Sequence, residues 1–208
     1  MSGKTIAAIF SFALAAVSVL AFPVGAAETG KGVAIFAGGC FWCVESDFDK
    51  VPGVVSTTSG YIGGSADTAN YKTVTGGDTG HYEAVKIVFD PKRVTYSKLL
   101  HVFWRSVDPT DPGGQFCDRG DSYKTGVFAT SDSQLAQARA SKKQAQEALG
   151  KTIVTPVRKA GSFFKAEGYH QDYYKRNPVR YKVYRYGCGR DARIKSLWGS
   201  EAMAGIKH

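Results

Sequence analysis

The order of apolar and polar positions predicts strands that alternate with helices from about residue 32 onward. An apolar run from Gly32 to Ala37 predicts a buried strand, and a helical period runs from Phe41 until Pro52-Gly53. Val54 to Tyr61 predicts a second strand. Tyr82 to Phe89 predicts another, with its odd-numbered positions on one face and its even-numbered positions on the other.

The second half of the chain continues this alternation and contains the longest predicted helix. The predicted elements are a helix from Tyr96 to Val107 capped by Thr95, a loop from Asp108 to Asp121, a strand from Tyr123 to Ala129, a helix from Ser133 to Leu149 that ends at Gly150, a strand from Ile153 to Val157 and a helix from Ala166 to Arg176. The tail after Pro178 gives little signal, and we expect it to be mobile.

This succession lacks the strict rhythm of a doubly wound parallel sheet. It favours an α+β fold, a two-layer sandwich in which helices flank a mixed or antiparallel sheet, of the ferredoxin-like type. The sequence has no internal repeat, low-complexity tract or linker after its first segment. We therefore predict a single domain over residues 28–208, including the C-terminal tail.

The first 27 residues have the pattern of a secretory signal peptide. Lys4 supplies a positive start, Ile6 to Phe22 is apolar, and Gly25 and Ala27 are the small residues that a signal peptidase needs. An uncleaved membrane anchor is the alternative, but the apolar stretch is short for a span of about 20 residues. We expect cleavage after Ala27 and a periplasmic or secreted protein.

The net charge of +9 would become +8 on loss of Lys4, and such a balance raises the question of an anionic partner. The basic residues are scattered along the chain, however. The densest group lies among tyrosines near the C-terminus, and we interpret it as a solvated face. We expect no nucleic-acid partner.

The sequence contains four cysteines, Cys40, Cys43, Cys117 and Cys188, which bear on its chemistry. An even number in an exported chain favours structural disulfides, but a domain of this size does not need them. A pair three residues apart, such as Cys40 and Cys43, more often carries redox or metal chemistry.

Cys40 stands where the predicted first strand gives way to a helix. Gly38 and Gly39 allow a sharp turn and leave room beside the next residue. At a helix start, unpaired amide groups and the helix dipole favour a thiolate, so we expect a lowered pKa for Cys40 and a role as nucleophile. A buried core cysteine is the alternative.

The segment Gly39-Cys40-Phe41-Trp42 resembles the catalytic motif of the peptide methionine sulfoxide reductase A family. Further blocks resemble that family in the expected order: Pro52-Gly53-Val54 through Gly60-Tyr61-Ile62-Gly63-Gly64, Gly80-His81-Tyr82-Glu83-Ala84-Val85, Gln115 through Asp118-Arg119-Gly120 to Tyr123, and Glu167 to Gln171. The resemblance covers most of the chain from about Val33 to Pro178. It implies reduction of methionine-(S)-sulfoxide, free or in proteins, as a repair of oxidative damage.

The resemblance also implies a role for individual residues. The Cys40 thiolate would attack the sulfoxide sulfur, and Glu83, protonated in an apolar pocket, would supply the proton that the oxygen needs. The implied substrate-binding residues are Phe41 and Trp42 as an aromatic wall, Tyr61 and Tyr123 as hydrogen-bonding partners of the oxygen, and Asp118 as a residue that fixes the pocket. No metal or other cofactor is implied.

Release of the product would leave Cys40 as a sulfenic acid, which a second thiol can convert to a disulfide. The candidates are Cys43, one helical turn away, and Cys188 in the tail. We favour Cys188, with Cys43 as a relay, and assign no role to Cys117. A thioredoxin-like dithiol would then regenerate the enzyme.

Two readings from other classes stay open at this point. Cys40-Phe41-Trp42-Cys43 also fits a thioredoxin-type thiol-disulfide oxidoreductase, although Glu83 would then have no purpose. Alternatively, a metal-binding protein would use Cys40, Cys43, Cys117 and His170 as zinc ligands, but no second close pair follows the first.

Overall fold

The computed structural model describes residues 30–207 together with Met1. The strands are β1 (Gly32–Gly38), β2 (Val54–Ile62), β3 (Tyr82–Phe89), β4 (Gly114–Gln115), β5 (Asp118–Arg119), β6 (Thr125–Ala129), β7 (Val157–Lys159) and β8 (Phe163–Lys165). Six of them form one sheet in the order β7-β6-β1-β3-β2-β8, and β4 pairs with β5. All pairings in the large sheet are antiparallel except that of β6 with β7. The predicted α+β fold with a mixed sheet is confirmed.

Seven helices accompany these strands in the described part of the chain. They are α1 (Phe41–Phe48), α2 (Tyr71–Gly76), α3 (Tyr96–Trp104), α4 (Asp132–Leu149), α5 (Tyr173–Arg176), α6 (Pro178–Gly187) and α7 (Arg190–Trp198). The Thr95 side chain accepts a hydrogen bond from Lys98 N at the start of α3, and Gly150 ends α4 in a left-handed conformation. Within the described residues, no helix has the length and apolar character needed to span a membrane.

The main core lies between the sheet and α1, α3, α4 and α7. Phe36 of β1 is fully buried there, with ring centroids 5.4 Å from Phe48 and 4.9 Å from Phe103. Burial of each such side chain contributes about 1.5–3 kcal/mol. Val85 of β3 faces this core, whereas Ala84 faces a smaller cluster on the opposite side. The predicted alternation along β3 is confirmed.

Two predicted elements in the last third of the chain differ from the structure. The strand expected over Ile153 to Val157 begins only at Val157. The helix expected from Ala166 begins at Tyr173, because the preceding residues bond to the edge of β2 instead: Ala166 N donates to Ser59 O. Asp172, with φ of +52°, separates this segment from α5.

The expectation of a mobile tail after Pro178 is wrong, since α6 and α7 pack against the domain. Arg190, only 2% exposed, donates from Nη1 to Gly38 O (3.0 Å) and from Nη2 to Ser106 O (2.8 Å). Arg185 of α6 pairs with buried Asp47 of α1 at 2.8 Å. The tail is therefore attached at the end of β1, beside the turn that carries Cys40.

We expect Arg190→Ala to lower the free energy of unfolding by about 3–5 kcal/mol, because two buried carbonyl groups lose a charged donor. Denaturant unfolding followed by circular dichroism measures this change. Lys195→Ala, an exposed change on the same helix, is the control and should stay within about 0.5 kcal/mol of wild type. Equal stability of the two variants would show that Arg190 does not anchor the tail.

Candidate active site

The turn between β1 and α1 sets the position of Cys40. Gly39 has φ of +80°, and a Cβ built on it would lie 2.5 Å from Cβ of the buried Gln115. Only glycine fits both the conformation and the space. Cys40 follows as the N-cap residue of α1, which agrees with the position predicted for it.

A small cavity of about 70 Å³ opens at this turn. It is lined by residues from six separate stretches of chain: Cys40, Phe41, Trp42, Tyr71, Glu83, Asp118, Tyr123 and Tyr184. Four of the five residues predicted to bind substrate are in this set. The sequence analysis missed Tyr71 and Tyr184, and it included Tyr61, which lies elsewhere.

Glu83 of β3 is 1% exposed, and its Oε2 accepts a hydrogen bond of 3.0 Å from the backbone N–H of Phe41. Burial raises the pKa of this carboxyl to about 8, and the charge of Asp118 adds to the shift, whereas the bond from Phe41 opposes it. At neutral pH the carboxyl is therefore mostly protonated. The direction agrees with the prediction for Glu83.

Cys40 is 6% exposed, and its pKa does not follow the prediction. Burial raises the pKa of this thiol well above the ordinary value, and the contacts with Cys43 and the charge of Glu83 raise it further. The partial charge at the start of α1 does not offset the loss of hydration. The expectation of a lowered pKa is wrong for the closed site seen here.

Cys43, one turn along α1, is equally buried but has the opposite shift. A hydrogen bond from Cys40 is the largest cause of its lowered pKa, and the charges of Arg190 and Arg185 lower it further. The two thiols thus form a pair in which Cys40 donates to Cys43. The α6–α7 tail supplies the positive charges that favour this arrangement.

The position of Tyr61 is decided by Glu167. The Tyr61 hydroxyl donates to Glu167 Oε2 at 2.8 Å, and the backbone N–H of Tyr71 donates to Glu167 Oε1 at 2.8 Å. The same carboxylate therefore holds Tyr61 outside the cavity and fixes the start of α2, which brings Tyr71 to it. In the cavity, Tyr71 hydrogen-bonds to Tyr123. A sequence clue for Tyr71 exists in Asn70, whose side chain caps α2.

The aromatic side of the cavity is held rigidly from behind. The Trp42 ring stacks on Tyr173 at 3.7 Å with an interplanar angle of 7°, and its Nε1 donates to His170 Nδ1 at 3.1 Å. Phe41 contacts the same histidine ring, with centroids 4.9 Å apart. Both aromatic residues therefore present a fixed apolar surface beside the Cys40 sulfur.

A family model described as peptide methionine sulfoxide reductase matches residues 32–202. The chain belongs to the peptide methionine sulfoxide reductase family. It is 52% identical over 189 residues to the peptide methionine sulfoxide reductase MsrA 2 of Rhizobium meliloti, covering 91% of this chain and 93% of that protein. It is 47% identical over 173 residues to the MsrA of Bacillus subtilis, covering 82% and 98% of the two chains.

Solved structures give the same assignment. Methionine sulfoxide reductase A of Corynebacterium diphtheriae superposes with a TM-score of 0.69 at 29% identity, covering 73% of this chain and 77% of that one. Mxr1 from Saccharomyces cerevisiae in its reduced form superposes with a TM-score of 0.68 at 32% identity, covering 73% and 88%. Membership of the reductase family overturns the reading as a thioredoxin-type oxidoreductase.

The remaining cysteines of this reductase-family chain form a disulfide between Cys117 and Cys188. Cys117, expected to be a bystander, is exposed, and Cys188 follows α6 at a partly exposed position. The bond lies next to Asp118 of the cavity and joins the loop before it to the tail. Cys40 and Cys43 are free thiols.

The zinc set considered from the sequence is not assembled within the described residues. Cys117 is bonded to Cys188, and Nδ1 of His170 is occupied by Trp42. Among the described residues, the ligand atoms that lie within 4.8 Å of one another belong to Cys117, Asp118 and Cys188 instead. Oxidation of its two sulfurs to a disulfide removes the thiolates that a metal would need.

Glu83 gives a pH prediction. Its folded-state pKa is raised to about 8, so the proton-donating form is present below that pH and is lost as the pH rises through it. The pKa of Cys40 is raised well above its ordinary value, so the thiolate fraction still rises with pH while Glu83 loses its proton. We therefore expect the single-turnover rate of sulfoxide reduction in wild type to rise up to about pH 8 and then to level off. Glu83→Gln should be slower by about 10²–10⁴-fold, and its rate should continue to rise above pH 8 as Cys40 ionises.

Rapid-quench measurement of methionine from pH 6 to 10 tests this expectation. Glu147→Gln, an exposed change on α4, is the matched control and should keep the wild-type profile. A levelling-off near pH 8 in Glu83→Gln as well would assign this feature of the profile to another group.

Proposed function

We propose that this protein reduces methionine-(S)-sulfoxide, free and in proteins, to methionine, and so repairs oxidative damage. The observation that carries the proposal is the cavity in which the Cys40 thiol, the protonated Glu83 carboxyl and a rigid aromatic wall meet. Membership of the reductase family supports the substrate class, and the preference for the S epimer follows from the family resemblance.

The first step transfers oxygen from the substrate to Cys40. The thiolate supplies an electron pair to the sulfoxide, the sulfur–oxygen bond of the substrate breaks, and a sulfur–oxygen bond forms on Cys40. The proton of Glu83 balances the charge on the oxygen, so the products are methionine and a Cys40 sulfenic acid. Glu83 is the only carboxyl in the lining set with a pKa raised to about 8, which suits it to donate at neutral pH.

Two hydroxyl groups in the cavity are placed to orient the sulfoxide oxygen. Burial raises the pKa values of Tyr71 and Tyr123, with the charge of Glu83 adding to both shifts. Both hydroxyls therefore stay protonated and act as hydrogen-bond donors. Tyr71 takes the role expected for Tyr61. Asp118 acts on the cavity through its charge, which adds to the raised pKa of Glu83, and through the hydrogen bond that it accepts from Tyr184.

The apolar surface of Phe41 and Trp42 suits the methyl group of the substrate. A methionine sulfur gains roughly 0.3–1.5 kcal/mol from contact with an aromatic ring, and the methyl group beside it can pack on the same apolar surface. Because Tyr173 and His170 hold the Trp42 ring in one orientation, this side chain loses little conformational entropy when the substrate binds.

Resolution of the sulfenic acid is assigned to Cys43 in the form described here. Cys43 contacts Cys40 and has a lowered pKa, whereas Cys188 is bonded to Cys117. Attack by the Cys43 sulfur forms a Cys40–Cys43 disulfide and releases the oxygen as water. This order differs from the first choice made from the sequence, in which Cys188 acts directly.

A thioredoxin-like dithiol is the proposed reductant, because a disulfide is reduced by thiolate attack and exchange. The exposed Cys117–Cys188 bond offers this partner a second disulfide. Export to the periplasm or beyond, after removal of residues 1–27, remains part of the proposal, and apart from Met1 that segment lies outside the described residues.

The ferredoxin-like type is also proposed for the core of the fold. Support comes from the strand order β6-β1-β3-β2, in which α1 connects β1 to β2 and α3 lies between β3 and β6. In this arrangement Cys40 follows β1 and Glu83 lies on β3. These two strands are antiparallel neighbours, which accounts for the proximity of the two residues.

We expect Cys40→Ser to abolish reduction of methionine sulfoxide, because the serine hydroxyl does not supply the electron pair that the reaction needs. The test follows each epimer of a dabsyl-methionine sulfoxide with dithiothreitol as reductant. Wild type should convert the S epimer only. Turnover of Cys40→Ser close to wild type, or conversion of neither epimer by wild type, would contradict the proposed function.

The order of disulfides is tested in one turnover without reductant, followed by peptide mapping with a sulfenic-acid probe such as dimedone. Wild type should yield a Cys40–Cys43 disulfide, and Cys43→Ser should accumulate dimedone-labelled Cys40. Cys188→Ser, the control, should behave as wild type in this first turnover. A dominant Cys40–Cys188 bond in wild type would reverse the order proposed here.

A further inference from the structure

Tyr184 of α6 reaches the active-site cavity from the C-terminal tail. Its hydroxyl donates to Asp118 Oδ2, and the Cys40 side chain lies within hydrogen-bonding reach of the same hydroxyl. Its ring meets the edge of Trp42, with centroids 5.8 Å apart and an interplanar angle of 78°. Tyr184 thus contacts the reacting sulfur, yet the reaction proposed above gives it no role.

The contacts of Tyr184 compete for one proton. A phenol hydroxyl carries a single hydrogen, so Tyr184 donates either to the Asp118 carboxylate or to the Cys40 sulfur. While Cys40 is a thiol that donates to Cys43, its sulfur is a weak acceptor, and Tyr184 donates to Asp118. Once Cys40 ionises, its sulfur carries a full charge and becomes a strong acceptor.

The nucleophile needs such a donor, because burial disfavours the thiolate. The titratable and charged groups that face the two thiols are Glu83, Asp118, Tyr71, Tyr123, Tyr184, Tyr181, Asp47, Arg185 and Arg190. Among these, Glu83 already accepts from Phe41, and the charge of Arg190 acts on Cys43. The hydroxyl of Tyr184 is the donor that contacts Cys40 itself.

We propose that Tyr184 is a further catalytic residue, whose hydroxyl turns from Asp118 to the Cys40 sulfur and stabilises the thiolate that attacks the substrate. Ionisation of Cys40 passes its proton along the existing hydrogen bond to the Cys43 thiolate, while Tyr184 keeps its own proton and changes only the acceptor of its hydrogen bond. The inference deepens the function proposed above and rests on Cys40 as its nucleophile.

The structure also holds Tyr184 in place for this exchange. Cys188 N donates to Tyr184 O at 2.9 Å, one turn further along the helix, and the Cys117–Cys188 disulfide joins that turn to the residue before Asp118. Arg185, next to Tyr184, is bonded to Asp47 of α1. These bonds fix α6 relative to Asp118 and to α1, so the Tyr184 hydroxyl stays within reach of both of its acceptors.

Tyr184→Phe tests the proposal, since it keeps the ring against Trp42 and removes only the hydroxyl. The protein is alkylated with iodoacetamide across pH 6–10, and mass spectrometry of peptides measures modification at Cys40 alone. We expect the rate of Cys40 alkylation to fall about tenfold at each pH below the raised pKa of this thiol, and kcat at pH 7 to fall about tenfold, with KM little changed.

Tyr186→Phe is the matched control, because Tyr186 lies on the same helix and is 89% exposed. It should leave both readouts at wild-type values, and thermal unfolding of both variants verifies that each is folded. An alkylation profile of folded Tyr184→Phe that matches Tyr186→Phe overturns the inference. Since alkylation needs no turnover, it separates failure of Tyr184 from failure of the proposed reductase function, which would appear as an inactive wild type.

Discussion

Burial of the Cys40 sulfur beside the Glu83 carboxyl is the constraint on which the rest of this structure depends. Loss of hydration raises the pKa of both groups, and the two effects have opposite consequences for the reaction. The carboxyl keeps the proton that a sulfoxide oxygen needs, whereas the thiol is held back from the thiolate form. The site therefore needs local donors for the sulfur, and the surrounding elements are arranged to bring them.

Much of that arrangement comes from the C-terminal tail. Arg190 attaches it to the end of β1, Arg185 pairs with α1, and Tyr184 enters the cavity. The Cys117–Cys188 disulfide joins this tail to the residue before Asp118 of the cavity. The helices α6 and α7 thus form one structural unit with the site around Cys40.

Among the described residues up to 150, the sequence predicted β1, β2, β3, β6, α1, α3 and α4, because their apolar periodicity matches the faces that they bury. It did not predict α2, nor the short pair β4 and β5. It failed for Ala166 to Asp172, where backbone pairing with β2 overrides a helical composition, and for the tail. Within the site, motif resemblance located Cys40 and Glu83. It selected Tyr61 instead of Tyr71, since the bonds of Glu167 that separate the two tyrosines join distant segments.

The amino-acid sequence by itself determined the α+β class, the turn at Gly39 and the placement of Cys40 at the start of a helix, since these follow from local periodicity and backbone conformation. Only the tertiary structure decided the pKa values, the disulfide partner of Cys188 and the approach of Tyr184. Hydration, charge and hydrogen bonding at the Cys40 sulfur depend on neighbours that the fold brings together from six separate stretches of chain, and no local sequence pattern contains them.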